Sequence, residues 1–315
     1  MLAWARSLQK NGVLGLNDRN ANVIQVFNPR QYFPLVDDKL QTKQLALAAG
    51  IAVPELYGVM ASQHDVHRLS SIVGRHRDFV IKPAHGTGGD GIVVVVDRNA
   101  RREELYQLVD GSYIDHADIR YHVSNIIGGQ YSLAGNRDSA LIEYRVEPDS
   151  VFAAVTFRGV PDIRILVFQG YPVMAMIRLP TRRSHGKANL HQGAVGAGVD
   201  LAHGRTSSGV LGNDIVHEHP DSGEPICGLS IPQWEYILTL AARCYELTGL
   251  GYLGVDVVLD RSLGPLILEL NARPGLNIQI ANNVGLKKRL ERIQHLSGEH
   301  SVEEKVALVR EAFAA

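Results

Sequence analysis

The chain has 315 residues, 45% of them hydrophobic and 21% charged, which is ordinary for a soluble globular protein of one large or two moderate domains. Lysine and arginine number 32 against 33 aspartate and glutamate residues, so the net charge of -1 creates no field that favours nucleic acid or an anionic membrane. Two cysteines exclude a disulfide framework and no apolar run is long enough to span a membrane, so we expect a cytoplasmic protein without nucleic-acid or membrane partners.

The first half of the chain alternates between strand-like and helical patterns. The predicted strands, which are short runs rich in β-branched residues, are 23–27, 79–81 and 92–96. The predicted helices, which repeat apolar residues every three or four positions, are one from Asp37 that Gly50 stops, 66–73 and 101–109.

The second half contains more strands and one strong helix. Its predicted strands are 141–146, 151–157, 163–169, 171–179, 254–260 and 265–271. Its predicted helices are 233–248, closed by Gly249, and an amphipathic tail over 291–313 with a break near Ser297–Gly298. Residues 181–230 are predicted as a long loop region rich in glycine and histidine. The mixture predicts an α+β fold.

The loop between the predicted strands 79–81 and 92–96 carries a first chemical signal. Four glycines within six residues free its backbone to bring amides near an anion. A strand follows where a dinucleotide site needs a helix, no Gly-Lys-Ser/Thr ending marks a Walker loop, and Lys82 precedes the loop where a kinase lysine would follow it. Two interpretations stay open, a phosphate-binding loop and a plain hairpin with a flexible tip.

Residues 254–260 and 265–271 alternate with period two around a short glycine-containing turn, which predicts a hairpin. A four-residue loop would place Asp256 opposite Glu269, and Asn271 shares the face of Glu269. Because Mg²⁺ prefers one or two carboxylates together with substrate phosphates, this face predicts a magnesium site. The alternative is a pair of half-exposed strands with polar outer faces.

A lysine before a strand-flanked glycine loop, followed far downstream by an Asp…Glu-x-Asn set, resembles the ATP-grasp superfamily and, within it, the RimK-like α-L-glutamate ligases. The matching pieces, in chain order, are Asp38-Lys39-Leu40 with Lys43, 49–54, 80–83 with the glycine loop, Glu143-Tyr144, Asp162-Ile163-Arg164, 189–193, 254–256 and 269–275. The resemblance extends over residues 35 to 285, and the order of the pieces makes it more specific than any single motif.

The resemblance implies an α+β ATP-grasp fold in which two α+β subdomains enclose the nucleotide. The expected parts are a shortened N-terminal segment at 1–36, an ATP-grasp domain at 37–290 and a C-terminal helix at 291–315. Within the domain, the subdomain with the glycine loop would span 55–140 and the subdomain with the magnesium site would span 141–290.

The resemblance also implies roles for individual residues. Those that would bind ATP are Lys39 and Lys82 at the phosphates, Gly86, Thr87, Gly88, Gly89 and Gly91 over the β- and γ-phosphates, Glu143 and Tyr144 at the adenine, Asp162 (with Glu147 as its alternative) and Lys187. Those that would hold Mg²⁺, or Mn²⁺ in its place, are Asp256, Glu269 and Asn271. Those that would act on the transferred phosphoryl group and the acyl phosphate are Arg178, Asn189 and Arg273.

The implied activity is an ADP-forming ligase that joins a carboxylate to an amine through an acyl phosphate, adding glutamate or a similar amino acid to a peptide, protein or small-molecule carboxylate. The N-terminal part is shorter than in RimK-like ligases, and ten extra residues lie between Glu143-Tyr144 and Asp162. A homo-oligomer or a partner protein would then supply the missing acceptor surface. The alternatives are an amino-acid or dipeptide ligase with a different acceptor, and a regulatory subunit that binds ATP without ligating.

Overall fold

The computed structural model describes residues 8, 10–86, 88–99, 104–132 and 135–313. Packing within the chain divides it into two units. The small unit comprises Asp38–Lys43 and Val53–Val146, and the large unit comprises the described residues up to Asp37, Gln44–Ala52 and those from Glu147 onward. This division does not test the domain boundaries expected from the sequence, which therefore stay predictions. Within the described ranges, no helix has the length and apolar character needed to cross a membrane.

The prediction of a strand at 23–27 is wrong, because this part of the chain is helical. Its elements are α1 (Leu16–Asp18), a π-helical stretch (Arg19–Ile24) and α2 (Gln25–Phe27). The adjacent side chains of Val23 and Ile24 are both buried while Val26 is 62% exposed. Successive side chains of a strand point to opposite faces, so this pattern of burial requires a helix.

Further helices precede the first strand. They are a 3-10 turn (Arg30–Tyr32), α3 (Pro34–Asp37) and α4 (Lys39–Ala48). Gly50 has a φ of 64°, in the left-handed region that ends many helices. The predicted helix that Gly50 stops is therefore confirmed as α4.

The small unit is built on a six-stranded antiparallel sheet. Its strands are β1 (Leu56–Met60), β2 (Phe79–Pro83), β3 (Val93–Arg98), β4 (Leu105–Leu108), β5 (Tyr113–Asp115) and β6 (Ala140–Glu143), in the spatial order β1-β6-β2-β3-β4-β5. Its helices are a 3-10 turn (Asp65–Arg68) that continues into α5 (Leu69–Val73), and α6 (His116–Ile127). Apolar residues of both helices pack with those of β2, β3 and β6 in one core. This core fixes the neighbouring strands β2 and β6, on which Lys82 and Glu143 lie.

The helix predicted at 101–109 is wrong in its described part, because residues 105–108 form the strand β4. Tyr106 is buried edge-on against Phe79, with ring centroids 5.7 Å apart, while the residues on either side of it are half-buried. That alternation belongs to a strand. The charged residues just before it imitate a helical pattern, and of these the structure describes only Glu104.

The large unit is built on a seven-stranded antiparallel sheet. Its strands are β7 (Asp162–Phe168), β8 (Tyr171–Leu179), β9 (Val195–Val199), β10 (Thr206–Leu211), β11 (Asp214–Val216), β12 (Tyr252–Asp260) and β13 (Gly264–Asn271), in the spatial order β11-β10-β9-β8-β7-β12-β13. The long loop predicted at 181–230 is thus wrong, since β9, β10 and β11 lie inside it. Their short runs of glycine, serine and alanine give little hydrophobic alternation for a sequence pattern to show.

The strand predicted at 151–157 is also wrong, because residues Ser150–Val155 form a 3-10 helix. Its start is capped by Asp149, whose side chain accepts the amide of Val151 at 2.9 Å. Phe152 and Val155, three residues apart, are both buried on its inner side. A spacing of three fits a helical turn and not a strand.

Four helices complete the large unit, namely α7 (Trp234–Thr248), α8 (Asn277–Asn282), α9 (Lys287–Gln294) and α10 (Val302–Ala312). The predicted helix closed by Gly249 is confirmed as α7, and α9 and α10 confirm a helical tail with a break around Ser297–Gly298. α7 packs against β7, β8, β12, β13 and α10. Both units combine helices with antiparallel sheets, which confirms the α+β class.

The hairpin of β12 and β13 places Asp256 opposite Glu269, as predicted, but by a different route. Its turn is one residue shorter than predicted, because Asp260 pairs with Gly264. A β-bulge at Leu268 adds one residue to β13 and restores the predicted pairing. The bulge therefore decides which acidic side chains face each other.

Candidate functional site

Two buried lysines of the small unit share one carboxylate. Lys82 on β2 forms an ion pair with Glu143 on the neighbouring β6. Lys43 on α4 lies 2.9 Å from the other oxygen of Glu143 and also donates to the carbonyl of Pro54. Both lysines are only 5% exposed and Glu143 is 3% exposed. Two cations against one anion leave a net positive charge in a buried position, which suits a negatively charged ligand.

These contacts also determine which groups are ionised. Burial opposes ionisation of Glu143, but Lys82 and Lys43 outweigh burial and lower the pKa of its carboxyl. Burial in turn lowers the pKa of Lys43, and the attraction of Glu143 opposes that shift. Glu143 therefore compensates the lysines as an anion. Lys43 has no predicted role, although its position one helical turn after Lys39 is a signal that points to it.

The predicted phosphate-binding loop follows β2 directly, and side chains hold both of its ends. Lys39 Nζ donates to the carbonyl of Gly86 at 2.5 Å. His122 Nε2 donates to the carbonyl of Gly91 at 2.9 Å. At the start of the loop, the ring of His85 contacts the buried carboxylate of Asp138 through Nδ1 at 2.7 Å. The histidines and Asp138 have no predicted role, because their partners are distant in sequence.

The conformation of this loop depends on its glycines. Gly88, Gly89 and Gly91 have φ values of 67°, 80° and 75°, a region that side chains rarely adopt. A Cβ on Gly86 would lie 2.2 Å from the ring of Pro83. The loop is thus a specific backbone structure that other residues could adopt at these positions only with strain or displacement of their neighbours. Thr87, the other residue predicted to bind phosphate here, lies outside the described residues.

Glu143 and Tyr144, predicted to read the adenine through their backbone, lie at the end of β6. Glu143 pairs with Leu56 on one side and Val80 on the other. The amide of Tyr144 donates to the carbonyl of Glu55 at 2.8 Å. The backbone amide of Tyr144 is therefore already used within the small unit, while the adenine role of the two residues stays a prediction.

Four charged side chains form a buried network on neighbouring strands of the large unit. Arg164 on β7 holds Asp256 on β12 through Nε and Nη2, the latter at 2.7 Å. Arg178 on β8 holds Asp162 on β7 in the same two-pronged way, with Nη2 at 2.6 Å. Arg178 Nη2 also lies 2.8 Å from Asp256. Asp256 thus lies between two guanidinium groups.

The two carboxyls of this network differ in their pKa. Burial opposes ionisation of Asp256, but Arg164 and Arg178 outweigh it and lower the pKa of that carboxyl. Burial raises the pKa of Asp162 to about 7, helped by the nearby negative charge of Asp256 and opposed by Arg178. Asp256 holds its charge because it has two arginine partners, whereas Asp162 has one. Arg164 has no predicted role, since its partner lies 92 residues away in sequence.

The predicted magnesium ligands suit Mg²⁺ by their chemistry, but two of the three are engaged. Both oxygens of Asp256 contact guanidinium groups, and Asn271 Oδ1 accepts the amide of Arg273 at 2.9 Å. Glu269 is partly exposed opposite Asp256. In the described part of the chain, no group of three or more histidine, cysteine, aspartate or glutamate side chains has the arrangement of a metal site. A cation bound by Asp256 must therefore compete with two arginines.

The remaining predicted residues lie elsewhere on the large unit. Lys187 and Asn189 belong to the basic segment (residues 181–193), which is closed by a hydrogen bond of 2.7 Å from the buried hydroxyl of Thr181 to the carbonyl of Gly193. Asn189 accepts the amide of His191 at 3.0 Å and starts a short 3-10 helix. This segment is therefore a structured loop with exposed basic side chains.

Arg273, at the end of β13, is paired with Asp37. Its Nη2 lies 2.7 and 2.8 Å from the two carboxylate oxygens, and its guanidinium stacks 4.8 Å from the centre of the Phe33 ring. Both charged side chains are nearly half exposed. An exposed pair of this kind is weak and is readily exchanged for another anion.

Comparison with known proteins places this geometry in a family. Residues 18–295 match the family described as sugar-transfer associated ATP-grasp. A probable alpha-L-glutamate ligase of Aeromonas salmonicida (strain A449) is 24% identical over 239 residues, which make up 76% of this chain and 57% of that protein. A cyanophycin synthetase of Geminocystis herdmanii (strain PCC 6308) is 23% identical over 285 residues, 81% of this chain and 29% of that protein. The chain thus spans less than two thirds of the length of these curated relatives.

A solved structure shares the fold. The biotin carboxylase domain of the Hydrogenobacter thermophilus 2-oxoglutarate carboxylase, in complex with MgADP, ADP and bicarbonate, has a TM-score of 0.51 and 16% identity over 87% of this chain and 49% of that chain. The family match and the glutamate ligase relatives confirm the ATP-grasp, RimK-like resemblance and the ATP-grasp fold. Because the family match covers the lysine cluster, the glycine loop and the β12–β13 hairpin, the chain belongs to the sugar-transfer associated ATP-grasp family.

Proposed function

We propose that the protein is an ADP-forming ligase that joins a carboxylate to an amine at the expense of ATP. The observation that carries the proposal is the buried cluster of Lys43, Lys82 and Glu143 at the base of the glycine loop. Its surplus positive charge and the glycine-rich backbone of the loop suit the phosphates of a nucleotide. Family membership and relatives named probable alpha-L-glutamate ligase support the reaction class.

The roles proposed for the binding residues follow their chemistry. Lys39, Lys82 and the loop from Gly86 to Gly91 would bind the phosphates, and Glu143 with Tyr144 would border the adenine. Asp256, Glu269 and Asn271 would hold Mg²⁺, or Mn²⁺ in its place, once Asp256 exchanges an arginine contact for the cation. The metal would supply charge neutralisation on the phosphoryl oxygens.

The proposed chemistry has two steps. An oxygen of the acceptor carboxylate attacks the γ-phosphorus of ATP, which forms an acyl phosphate and releases ADP. The amine nitrogen then attacks the acyl carbon, phosphate leaves, and the amine loses a proton to solvent. The chain's contribution is to orient the groups and to offset negative charge, for which Arg178, Lys187, Asn189 and Arg273 are the proposed residues.

We propose glutamate or a similar amino acid as the amine, because several relatives are named probable alpha-L-glutamate ligase. Because the family is described as associated with sugar transfer, we also propose sugar-derived acceptors. A contribution of a second copy or a partner protein to the acceptor surface is part of the same proposal. The cytoplasm suits the reaction because it supplies ATP and keeps the free thiols of Cys227 and Cys244 reduced.

A second candidate is a regulatory subunit that binds ATP without ligating. One observation favours it, namely that both oxygens of Asp256 are held by arginine side chains. In that case the network would be a structural ion cluster and not part of a metal site. Nucleotide binding would persist, while turnover would be absent with every acceptor.

The test is to incubate the protein with ATP, Mg²⁺ and pools of amino acids, peptides, uronic acids and amino sugars. ADP, AMP and phosphate are quantified together with the mass of any product. The ligase predicts ADP and phosphate in equal amounts with one new amide product. AMP and pyrophosphate as the main products contradict the proposed chemistry, and tight ATP binding without any turnover favours the regulatory subunit.

A further inference from the structure

Two loops of the large unit are held together by close backbone contacts. One is the turn that follows Phe157, and the other runs from Pro180 into the basic segment. The amide of Phe157 donates to the carbonyl of Pro180 at 3.0 Å, and the buried ring of His219 donates to the same carbonyl at 3.1 Å. Gly159 lies so close to Gly186 that a Cβ on Gly159 would come within 1.8 Å of the Gly186 oxygen. The turn that follows Phe157 is therefore fixed by backbone contacts that leave no room for a side chain at residue 159.

Arg158 lies at the tip of this turn in a strained backbone conformation. Its φ is 56°, and that of His185 on the facing loop is 52°. Non-glycine residues adopt this region rarely, and such strain concentrates at binding sites where the surrounding structure enforces it. Glycine would fit residue 158 without strain, so the arginine side chain itself needs an explanation.

Arg158 and Arg182 direct their guanidinium groups to the same aromatic ring. Their central guanidinium carbons lie 5.1 and 5.2 Å from the centre of the Phe157 ring, and both side chains are exposed. Throughout the described ranges, neither guanidinium is paired with a carboxylate. The nearby Asp221 accepts the backbone amide of Arg182 at 2.7 Å and not its guanidinium.

Another phenylalanine of the large unit also has two arginines on its ring, and the two pairs differ in what their guanidinium donors bind. Arg289 and Arg292 lie 4.9 and 5.7 Å from the centre of the Phe313 ring. Arg289 donates to the carbonyl of Val173 at 2.7 Å, and Arg292 donates to that of Ala312 at 2.9 Å. That pair has a structural use for its donors, whereas neither the Arg158 nor the Arg182 guanidinium donates a hydrogen bond to another residue in the described part of the chain.

We propose that Arg158 and Arg182, stacked on Phe157, form an anion-binding site for the carboxylate or phosphate group of the acceptor. The planar guanidinium offers two parallel donors that match a carboxylate or phosphate, and stacking on an aromatic ring orders it in advance. Arg183 and Lys187 on the same basic segment add positive charge. Naming the anion as the acceptor rests on the proposed function, while the anion site itself does not.

The test measures direct binding of two probes, N-acetyl-L-glutamate and inorganic phosphate, to the full chain by calorimetry without nucleotide. The variants are Arg158→Gly, which relieves the strained backbone, and Arg182→Ala. The matched control is Arg292→Ala, which removes the same charge from the other arginine–phenylalanine pair. Thermal unfolding and ATP affinity are recorded on the same samples.

We expect at least one probe to bind the wild type, and either variant to weaken that binding by about ten- to a hundredfold, as for the loss of one charge-assisted hydrogen bond. The melting temperature of Arg158→Gly should stay equal or rise, and Arg292→Ala should bind normally. The preferred probe distinguishes a carboxylate from a phosphate ligand. Equal affinities of wild type and Arg158→Gly, or no binding of either probe at millimolar concentration, would overturn the proposal. If the wild type binds a probe but neither binds ATP nor turns it over, the proposed function alone is overturned.

Discussion

Asp256 has two roles, since it neutralises two buried arginines and is also a proposed magnesium ligand. Asp256→Asn leaves Arg164 and Arg178 without their shared carboxylate, so we expect a loss of folding free energy on the order of 3–5 kcal/mol. Chemical denaturation measures it. Glu269→Gln, on the partly exposed strand opposite, is the control and should change stability by less than about 1 kcal/mol while raising the Mg²⁺ requirement. Equal stability of Asp256→Asn and wild type would show that the arginines need no such partner.

Lys82 is the second residue whose substitution gives a prediction. Lys82→Ala should weaken ATP binding by about 1.5–3 kcal/mol, as expected for the loss of a charge-assisted contact. The fold should survive, because Lys43 still neutralises Glu143. Calorimetry with ATP and Mg²⁺ measures the effect, and Arg75→Ala, which removes an exposed charge from the same unit, should bind ATP normally. An unchanged affinity in Lys82→Ala would remove this lysine from the nucleotide site.

The shape of the glycine loop should govern ATP affinity. Gly91 and Gly111 both have positive φ, but a Cβ on Gly91 would lie 2.6 Å from the Tyr131 ring while one on Gly111 meets nothing. Both alanine variants therefore carry a backbone cost on the order of 1 kcal/mol, and only Gly91→Ala also displaces the ring under the loop. We expect Gly91→Ala to lose at least tenfold in ATP affinity and Gly111→Ala to bind normally. Similar affinities would mean that the shape of the loop does not govern binding.

We also expect parts of the glycine loop and of the basic segment to be mobile without nucleotide. Side chains anchor Gly86 and Gly91, and Thr181 closes the basic segment, so mobility should be confined to the residues between these anchors. We expect hydrogen exchange of residues 88–90 and 185–191 to slow when ATP and Mg²⁺ bind. Exchange that is equal with and without nucleotide would mean that both are fixed surface loops.

How much of these elements the sequence predicts depends on the range of the interactions. Residues 79–81, 92–96 and 233–248 have strong local patterns, and their predicted structure is correct. Segments with weak or misleading patterns, at 23–27, 105–108, 151–157 and 181–230, are predicted wrongly because tertiary burial decides them. The pairing of Asp256 with Glu269 is predicted correctly although the turn is shorter, since the bulge at Leu268 compensates.

For the molecule as a whole, the ordered motifs predict the family correctly. The residues with proposed roles are distributed over both units of the chain. The contacts that decide how those residues work could not be predicted from sequence. Arg164 reaches Asp256 across 92 positions, and Arg158 and Arg182 both stack on the ring of Phe157. Such contacts depend on strand order and loop packing, which local patterns do not encode.

The proposed reaction activates a carboxylate by direct transfer of the γ-phosphoryl group. The most direct measurement supplies the acceptor pool labelled with ¹⁸O in its carboxylates, together with unlabelled ATP, Mg²⁺ and the amine donors, and follows the label by mass spectrometry. Because the bond between the acyl carbon and the bridging oxygen breaks when the amine attacks, one labelled oxygen should appear in the released inorganic phosphate. Label in AMP, or phosphate released without label, would contradict the acyl phosphate and with it the proposed ligase.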